Sequence, residues 1–454
     1  MKGKMKLTRS SAAKMSVVRK IVLFIVVTGL LLAVSCNGQA ARDEKESQHS
    51  SKQQTFENID HPNEPTTVVF HNVNIIPMTE EKVVENQSVV IQEGLIVEIG
   101  DFETVTIPEG VKVIDGKDKY LLPGLVDMHV HLRWDSEEEM LYLANGVTGI
   151  QNMWGRPENL EIREAINDRR FLSPRIYTTG PLMNGPDPIW KDSMILETPE
   201  EARKAVIKVQ EDGYDAVKVY ERLTLDVYEE IMKTAKEIGI PVVGHVPQNV
   251  GIRKVLELGQ DSIEHLSGYN LDQLEEEAAM TAKNHIWNTP TLTIVDIMKE
   301  EEEVEGVEFV EPKLIRYWNS LRARGHYEFD LEVRQNIVRI IHENGGKFLA
   351  GTDANNPFIV PGFSLHNELE YLTGAGLTPF EVLKTATYNP AEFLGKLDQL
   401  GTVEEGKEAD VILLSKNPLE DIKNTRTIEG IMVQGVWLDT ETLQQELKKI
   451  KESY

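Results

Sequence analysis

The stretch Leu125-Val126-Asp127-Met128-His129-Val130-His131 sets a polar residue at every second position of an apolar run. In a β-strand that spacing turns Asp127, His129 and His131 to one side and Val126, Met128 and Val130 to the other. The turn residues Pro123-Gly124 precede it, as expected at a strand start. Seven further short runs follow: Val147–Met153, Arg175–Thr179, Ala216–Tyr220, Val242–Val246, Ser262–Leu266, Asn288–Thr293 and Phe348–Asp353. Stretches with helical period separate most of them, among them Pro199–Glu211, Leu225–Glu237 and Leu331–Asn344. Eight strands alternating with helices predict an α/β protein with a parallel, TIM-like (β/α)8 barrel over residues 123–395.

Outside the barrel the pattern changes. Short β-type runs with hairpin spacing occur upstream at Val68-Val69-Phe70, Ser88–Ile91 and Leu95–Ile99, with a turn at Gly94. Similar runs return downstream at Ala409–Leu414 and from Ile428 to Leu438. The two ends therefore predict one small β-domain split between residues 66–122 and 396–440, with the barrel inserted in it. Residues 441–454 read as a C-terminal helix, and the acidic run Lys299–Glu311 as a solvated helix or loop.

The first 65 residues are of a different kind. Seven basic residues precede an apolar run of 14, Ile21 to Val34, which is short of the roughly 20 that span a bilayer. Small residues and the chain's one cysteine follow, Ala33-Val34-Ser35-Cys36. Residues 1–35 have the architecture of a secretory signal. The cysteine after the small residues resembles a bacterial lipobox, which makes Cys36 the expected lipidation site. Residues 36–65 are rich in Gln, Glu, Ser and Asn and read as a disordered tether. The expected location is that of an exported, membrane-anchored bacterial lipoprotein, at the outer membrane or periplasm if the cell is Gram-negative. Its contact with the membrane would be through the lipid alone.

Charge narrows the partners. Across 454 residues, 48 Lys and Arg face 74 Asp and Glu, a formal net charge of −26; loss of residues 1–35 would take it to −33. Such a body repels phosphate backbones, which excludes a nucleic-acid partner. One cysteine excludes an internal disulfide and a cysteine-rich zinc site. The oligomeric state is open, a homo-oligomer included.

The chemistry collects at the C-terminal ends of the eight runs, where a barrel of this type keeps its active site. His129 and His131 end the first run, His245 and His265 two later ones, and Asp353 the last. Imidazole and carboxylate together form the ligand set of zinc and its divalent neighbours. Lys218 sits in Ala216-Val217-Lys218-Val219-Tyr220, where alternation turns it inward with Ala216 and Tyr220. An interior lysine either pairs with a carboxylate such as Asp127 or Asp353, or loses its charge. As a free amine it can capture CO2 as a carbamate, whose two oxygens can bridge two metals.

The combination resembles the amidohydrolase superfamily, in its imidazolonepropionase-like and prolidase-like (Xaa-Pro dipeptidase) branch. The residues that carry the resemblance are Leu122-Pro123-Gly124 through Leu132, Asn145-Gly146-Val147-Thr148, Lys218-Val219-Tyr220 and Gly244-His245-Val246. They continue with Ser262-Ile263-Glu264-His265, Gly351-Thr352-Asp353-Ala354 and Leu400-Gly401-Thr402-Val403 through Ala409-Asp410. The resemblance implies that the split β-domain is β-sandwich-like. It implies that His129, His131 and Asp353 hold one metal ion, that His245 and His265 hold a second, and that carbamylated Lys218 bridges them. It implies Zn2+ as the ion, a hydroxide shared by both ions as nucleophile, and Asp353 as general base. Tyr220 is the candidate donor to the oxyanion, or else an aromatic packed at the rim.

The expected activity is hydrolysis of a C–N amide bond, in small-molecule dipeptides or N-acyl amino acids. A mononuclear cyclic amidase or deaminase is the alternative within the same chemistry. A non-catalytic solute-binding lipoprotein is the alternative outside it, and it predicts a missing ligand. The loops after the strands offer Arg133, Trp134, Arg156, Trp190 and His366 as substrate-contacting candidates.

Overall fold

The computed structural model describes residues 67–133, 138–324 and 330–454. The leader, the tether, Cys36 and Trp134 lie outside these residues. Among the described residues no helix is long and apolar enough to cross a membrane.

The leading segment forms β1 (Val68–Ile75), β2 (Val84–Gln92), β3 (Leu95–Asp101), β4 (Lys112–Asp115) and β5 (Tyr120–Pro123). β2 and β3 are joined by Glu93-Gly94, both with positive φ (55° and 80°), which matches the twist of a tight hairpin. One residue, Gly124, then leads from β5 into the second sheet. There β6 (Leu125–Val130), β7 (Val147–Asn152), β8 (Arg175–Asn184), β9 (Met194–Ile195), β10 (Ala216–Val219), β11 (Val242–Gly244), β12 (Ser262–Glu264), β13 (Trp287–Thr289) and β14 (Lys347–Phe348) follow. The chain closes with β15 (Val411–Leu414), β16 (Ile428–Val433), β17 (Val436–Asp439) and the helix Thr440–Glu452.

The first sheet runs β17-β16-β15-β5-β1-β2-β3, with β4 beside β1. The two chain ends meet where β15 pairs antiparallel with β5, Val411 opposite Pro123. Its buried side holds Phe70, Val89, Ile91, Leu121, Val411, Leu413 and Met432.

The second sheet is parallel, β6-β7-β8-β10-β11-β12-β13-β14, with β9 added to β8. It closes on itself. The Met128 amide donates to the Ala350 carbonyl at 2.8 Å, Asp353 N to His129 O at 2.7 Å, and Val130 bridges Ala354. The eighth strand thus returns to the first, and the architecture is an α/β TIM-like barrel beside a sheet built from both chain ends. Alternation sorts the side chains: Val217 and Val219 pack outward against Tyr228 and Ile231 of the helix Leu225–Ile238, while Lys218 faces the interior.

Some elements differ from their sequence reading. The seventh run stops as a strand at Thr289, because Pro290 has no N–H for the ladder, and Leu292–Met298 winds into a 3-10 helix instead. β8 extends past Thr179 to Asn184. The run Ile428 to Leu438 breaks into the hairpin β16–β17 at Gln434-Gly435. The acidic run holds two short 3-10 turns and buries Val304 and Val310 against Trp318 and Phe358, so only its glutamate side is solvated.

Candidate metal centre

Two glycines let the strand ends approach one another. A Cβ on Gly351 would come within 2.8 Å of the His129 Cβ, and one on Gly244 within 2.2 Å of the Val219 carbonyl oxygen. Asp353, two residues after Gly351, and His265, directly after β12, are held in the left-handed region at φ 65° and 61°, a strained state for residues with a side chain.

Those turns aim side chains at one point. His131 Nε2 lies 3.1 Å from Asp353 Oδ1, His129 Nε2 3.6 Å from the same oxygen, and His265 Nδ1 3.8 Å from Oδ2. One ligand atom each from His129, His265 and Asp353 falls within 4.8 Å of the others. The His129 and His265 rings are 4.5 Å apart, and His245 continues the row at 4.8 Å from His265. Burial pushes the His129 and His265 imidazoles well below their ordinary pKa and also lowers that of His245. All three are therefore neutral, the form that binds a cation.

Lys218 lies in the same interior. It is 1% exposed, its Nζ has no hydrogen-bond partner, and it makes no ion pair among the described residues. Burial brings its pKa down to about 8, against the pull of the Glu264 and Asp353 carboxylates. Asp127, on the face shared with His129, is engaged elsewhere: its oxygens accept from Thr352 N (3.0 Å) and Thr352 Oγ1 (2.7 Å). It thereby fixes the residue next to Asp353.

The residue reading did not anticipate the groups behind the histidines. His129 Nδ1 meets Glu264 Oε2 at 2.6 Å, His265 Nδ1 meets Thr291 Oγ1 at 2.8 Å, and His245 Nδ1 faces Glu221 Oε1 at 3.6 Å. A carboxylate or hydroxyl within hydrogen-bond reach of Nδ1, as behind His129 and His265, orients a ligand imidazole. Alternation counted back from His265 would turn Glu264 outward; the left-handed backbone at His265 breaks that pattern and lets both face the interior, and nothing in the sequence marks Glu221.

An aromatic wall adjoins the histidines. The Tyr220 ring is 4.2 Å from His245, its hydroxyl accepts from Trp190 Nε1 at 3.2 Å, and Trp190 packs edge-on to Trp154 at 5.4 Å. The Arg156 guanidinium lies 5.7 Å over Trp154, with Asp192 3.9 Å away. Arg133 faces Glu138 and Glu311, each at 3.9 Å. His366 does not join the site. The helix Phe363–Gly374 places it on its buried side, where Nδ1 meets Thr425 Oγ1 at 2.9 Å, so the rim position expected from sequence is corrected.

The donor set fits a divalent cation. His129 Nε2 and Lys218 Nζ are buried without partners, which is costly unless something satisfies them. Neutral imidazoles and a carboxylate converge beside them, the chemistry such an ion requires.

Comparison with known proteins agrees. The chain is similar to the ochratoxinase of Aspergillus niger, 25% identical over 367 residues covering 67% of this chain and 72% of that protein. It is similar to the imidazolonepropionase of Idiomarina loihiensis, 26% identical over 408 residues covering 76% and 90%. Among solved structures it resembles a Bifidobacterium longum protein assigned as a prolidase, with a TM-score of 0.66 and 26% identity over 85% of this chain and 99% of that one. The pattern of the amidohydrolase family matches residues 120–438, so the chain belongs to that family and is a hydrolase of the amidohydrolase superfamily.

Proposed function

We propose that this protein hydrolyses the amide C–N bond of dipeptides or N-acyl amino acids, with two divalent ions, Zn2+ foremost, at the barrel mouth. The observation that carries the reading is the buried, unpartnered Lys218 amine among the histidines and Asp353. As a carbamate it would bridge an ion held by His129, His131 and Asp353 to one held by His245 and His265. Bound there, the ions would lower the pKa of water toward about 7 and polarise the substrate carbonyl.

The chain's own groups supply the rest. Asp353 takes the proton of the attacking water on its carboxylate and returns it to the leaving nitrogen. Tyr220 accepts from Trp190, so its own proton is free to meet the carbonyl oxygen as charge develops there. Trp154 and Trp190 offer an apolar side to the substrate. Arg156, about half exposed, would pair with a substrate carboxylate. The prolidase assignment of the Bifidobacterium longum protein supports a dipeptide substrate.

The compact trio of His129, His265 and Asp353 favours a second reading, a mononuclear cyclic amidase or deaminase. Screening the Zn2+-loaded protein against dipeptides, N-acyl amino acids, lactams and amino-heterocycles separates the two. Turnover of the first two classes with two ions per chain is expected. Turnover of the last two alone, with one ion, would replace our reading by the second. We also propose that Cys36 carries the lipid anchor. Cys36→Ser should then move the protein from the membrane to the soluble fraction, and unchanged fractionation would reject the anchor.

A further inference from the structure

Glu264 and His129 stand on β12 and β6, which β13 and β14 separate in the sheet, so their contact crosses the barrel interior. The bond is short, 2.6 Å from Oε2 to Nδ1, and the two residues are 1% and 0% exposed. The other carboxylate oxygen is also anchored, accepting from Ser262 Oγ at 2.7 Å. Ile263 between them packs outward into the helical layer, which keeps Ser262 and Glu264 turned inward.

A neutral imidazole carries one N–H, and an ionised carboxylate can only accept. As a carboxylate, the form that the Ser262 hydroxyl and the buried Lys218 amine favour, Glu264 holds the His129 proton on Nδ1 and leaves the Nε2 lone pair free, on the side facing Asp353. The carboxylate also makes that lone pair more basic. The other histidines are held less firmly. The Thr291 hydroxyl beside His265 can donate or accept, so it suits either tautomer. Glu221 stands 3.6 Å from His245, beyond hydrogen-bond reach.

From this asymmetry we infer that Glu264 is a positioning residue that fixes the His129 tautomer and makes the His129 half of the centre the tighter cation site. The inference rests on the metal-binding reading above. Glu264 itself touches neither substrate nor ion; it acts through His129.

The test is Zn2+ binding by chelator competition on the metal-stripped full chain, for wild type, Glu264→Gln and Ser262→Ala. Gln keeps the shape but loses the charge, and its amide can bond either tautomer. Wild type should show two classes of site. Glu264→Gln should weaken the tighter class by about 10–100-fold and leave the weaker one in place. Ser262→Ala, which removes one anchor of the carboxylate, should weaken the tighter class by less. Unchanged tight-class affinity in a folded Glu264→Gln would overturn the inference. Should that variant fail to fold, unchanged affinity in Ser262→Ala would overturn it equally. A single class that Glu264→Gln still weakens supports the role of Glu264 while rejecting the two-ion count. No Zn2+ binding by wild type would reject both.

Discussion

At the base of the barrel, Arg175 at the start of β8 reaches the first sheet and meets Asp410, whose carboxylate accepts from Arg175 Nε at 2.5 Å and from Gln434 N at 2.9 Å. Glu408 joins from the same segment as a second carboxylate. At the mouth, Lys218 and His129 bury polar nitrogens with nothing bonded to them. Each end takes charged groups out of water, but only the base pairs them fully. A paired charge ties the two sheets together, whereas an unpaired one is tolerated where a ligand is to be bound. In barrels of this type the mouth carries function and the base stability.

Neutralising one aspartate at each end should have opposite consequences. The largest effect is expected at the mouth. Asp353→Asn keeps the shape and an oxygen for a cation but cannot accept a proton, so turnover should fall by at least about two orders of magnitude. Its melting temperature should stay level or rise, because a buried anion has gone. Near-normal turnover with metal retained would remove Asp353 from the role of base. At the base, Asp410→Asn should cost about 2 kcal/mol of stability in denaturant unfolding. That is less than the roughly 3–5 kcal/mol of a fully buried pair, since Arg175 is 23% exposed and keeps Glu408. Activity per folded molecule should not change; a loss of turnover there would blur the division between the ends.

His366 sharpens the contrast from a third position. Burial, helped by the Arg426 guanidinium, lowers its pKa to about 3, so it stays neutral while the unfolded chain binds a proton below about 6.5. Between those values the unfolded state holds more protons, and stability falls as pH falls. The wild-type stability curve should therefore be steeper on its acid side than that of His366→Gln, by up to about 1.4 kcal/mol per pH unit. Parallel curves would show that this histidine is not buried neutral. The smallest effect is expected for Trp190→Phe, which removes one donor to Tyr220. It should lower kcat about 5–10-fold with little change in KM, the scale of one hydrogen bond. In a Tyr220→Phe background it should do nothing further; an additive loss would mean that Trp190 acts independently of Tyr220.

The strand ends of the barrel were readable because side-chain alternation is a local property. Lys218 between two outward valines, or His129 two places before His131, needs no knowledge of the rest of the chain. Contacts made by closure were not readable. The bond of Glu264 to His129 spans 135 positions and exists because the sheet curls round. His366 misled for the same reason. It follows the last strand in sequence, yet whether such a residue faces the mouth depends on the path from Asp353 to the helix Phe363–Gly374, which turned it toward Thr425. At Thr289 the periodicity continued while Pro290 ended the ladder, a case where one missing N–H outweighs a β-branched run.

The central claim is that Lys218 bridges two ions, and metal content tests it most directly. Wild type and Lys218→Ala, loaded with excess Zn2+ and desalted, should hold two ions and at most one per chain. Short-chain carboxylic acids that stand in for the carbamate should partly restore both the second ion and turnover in the alanine variant. Two ions and full activity in Lys218→Ala would contradict the account.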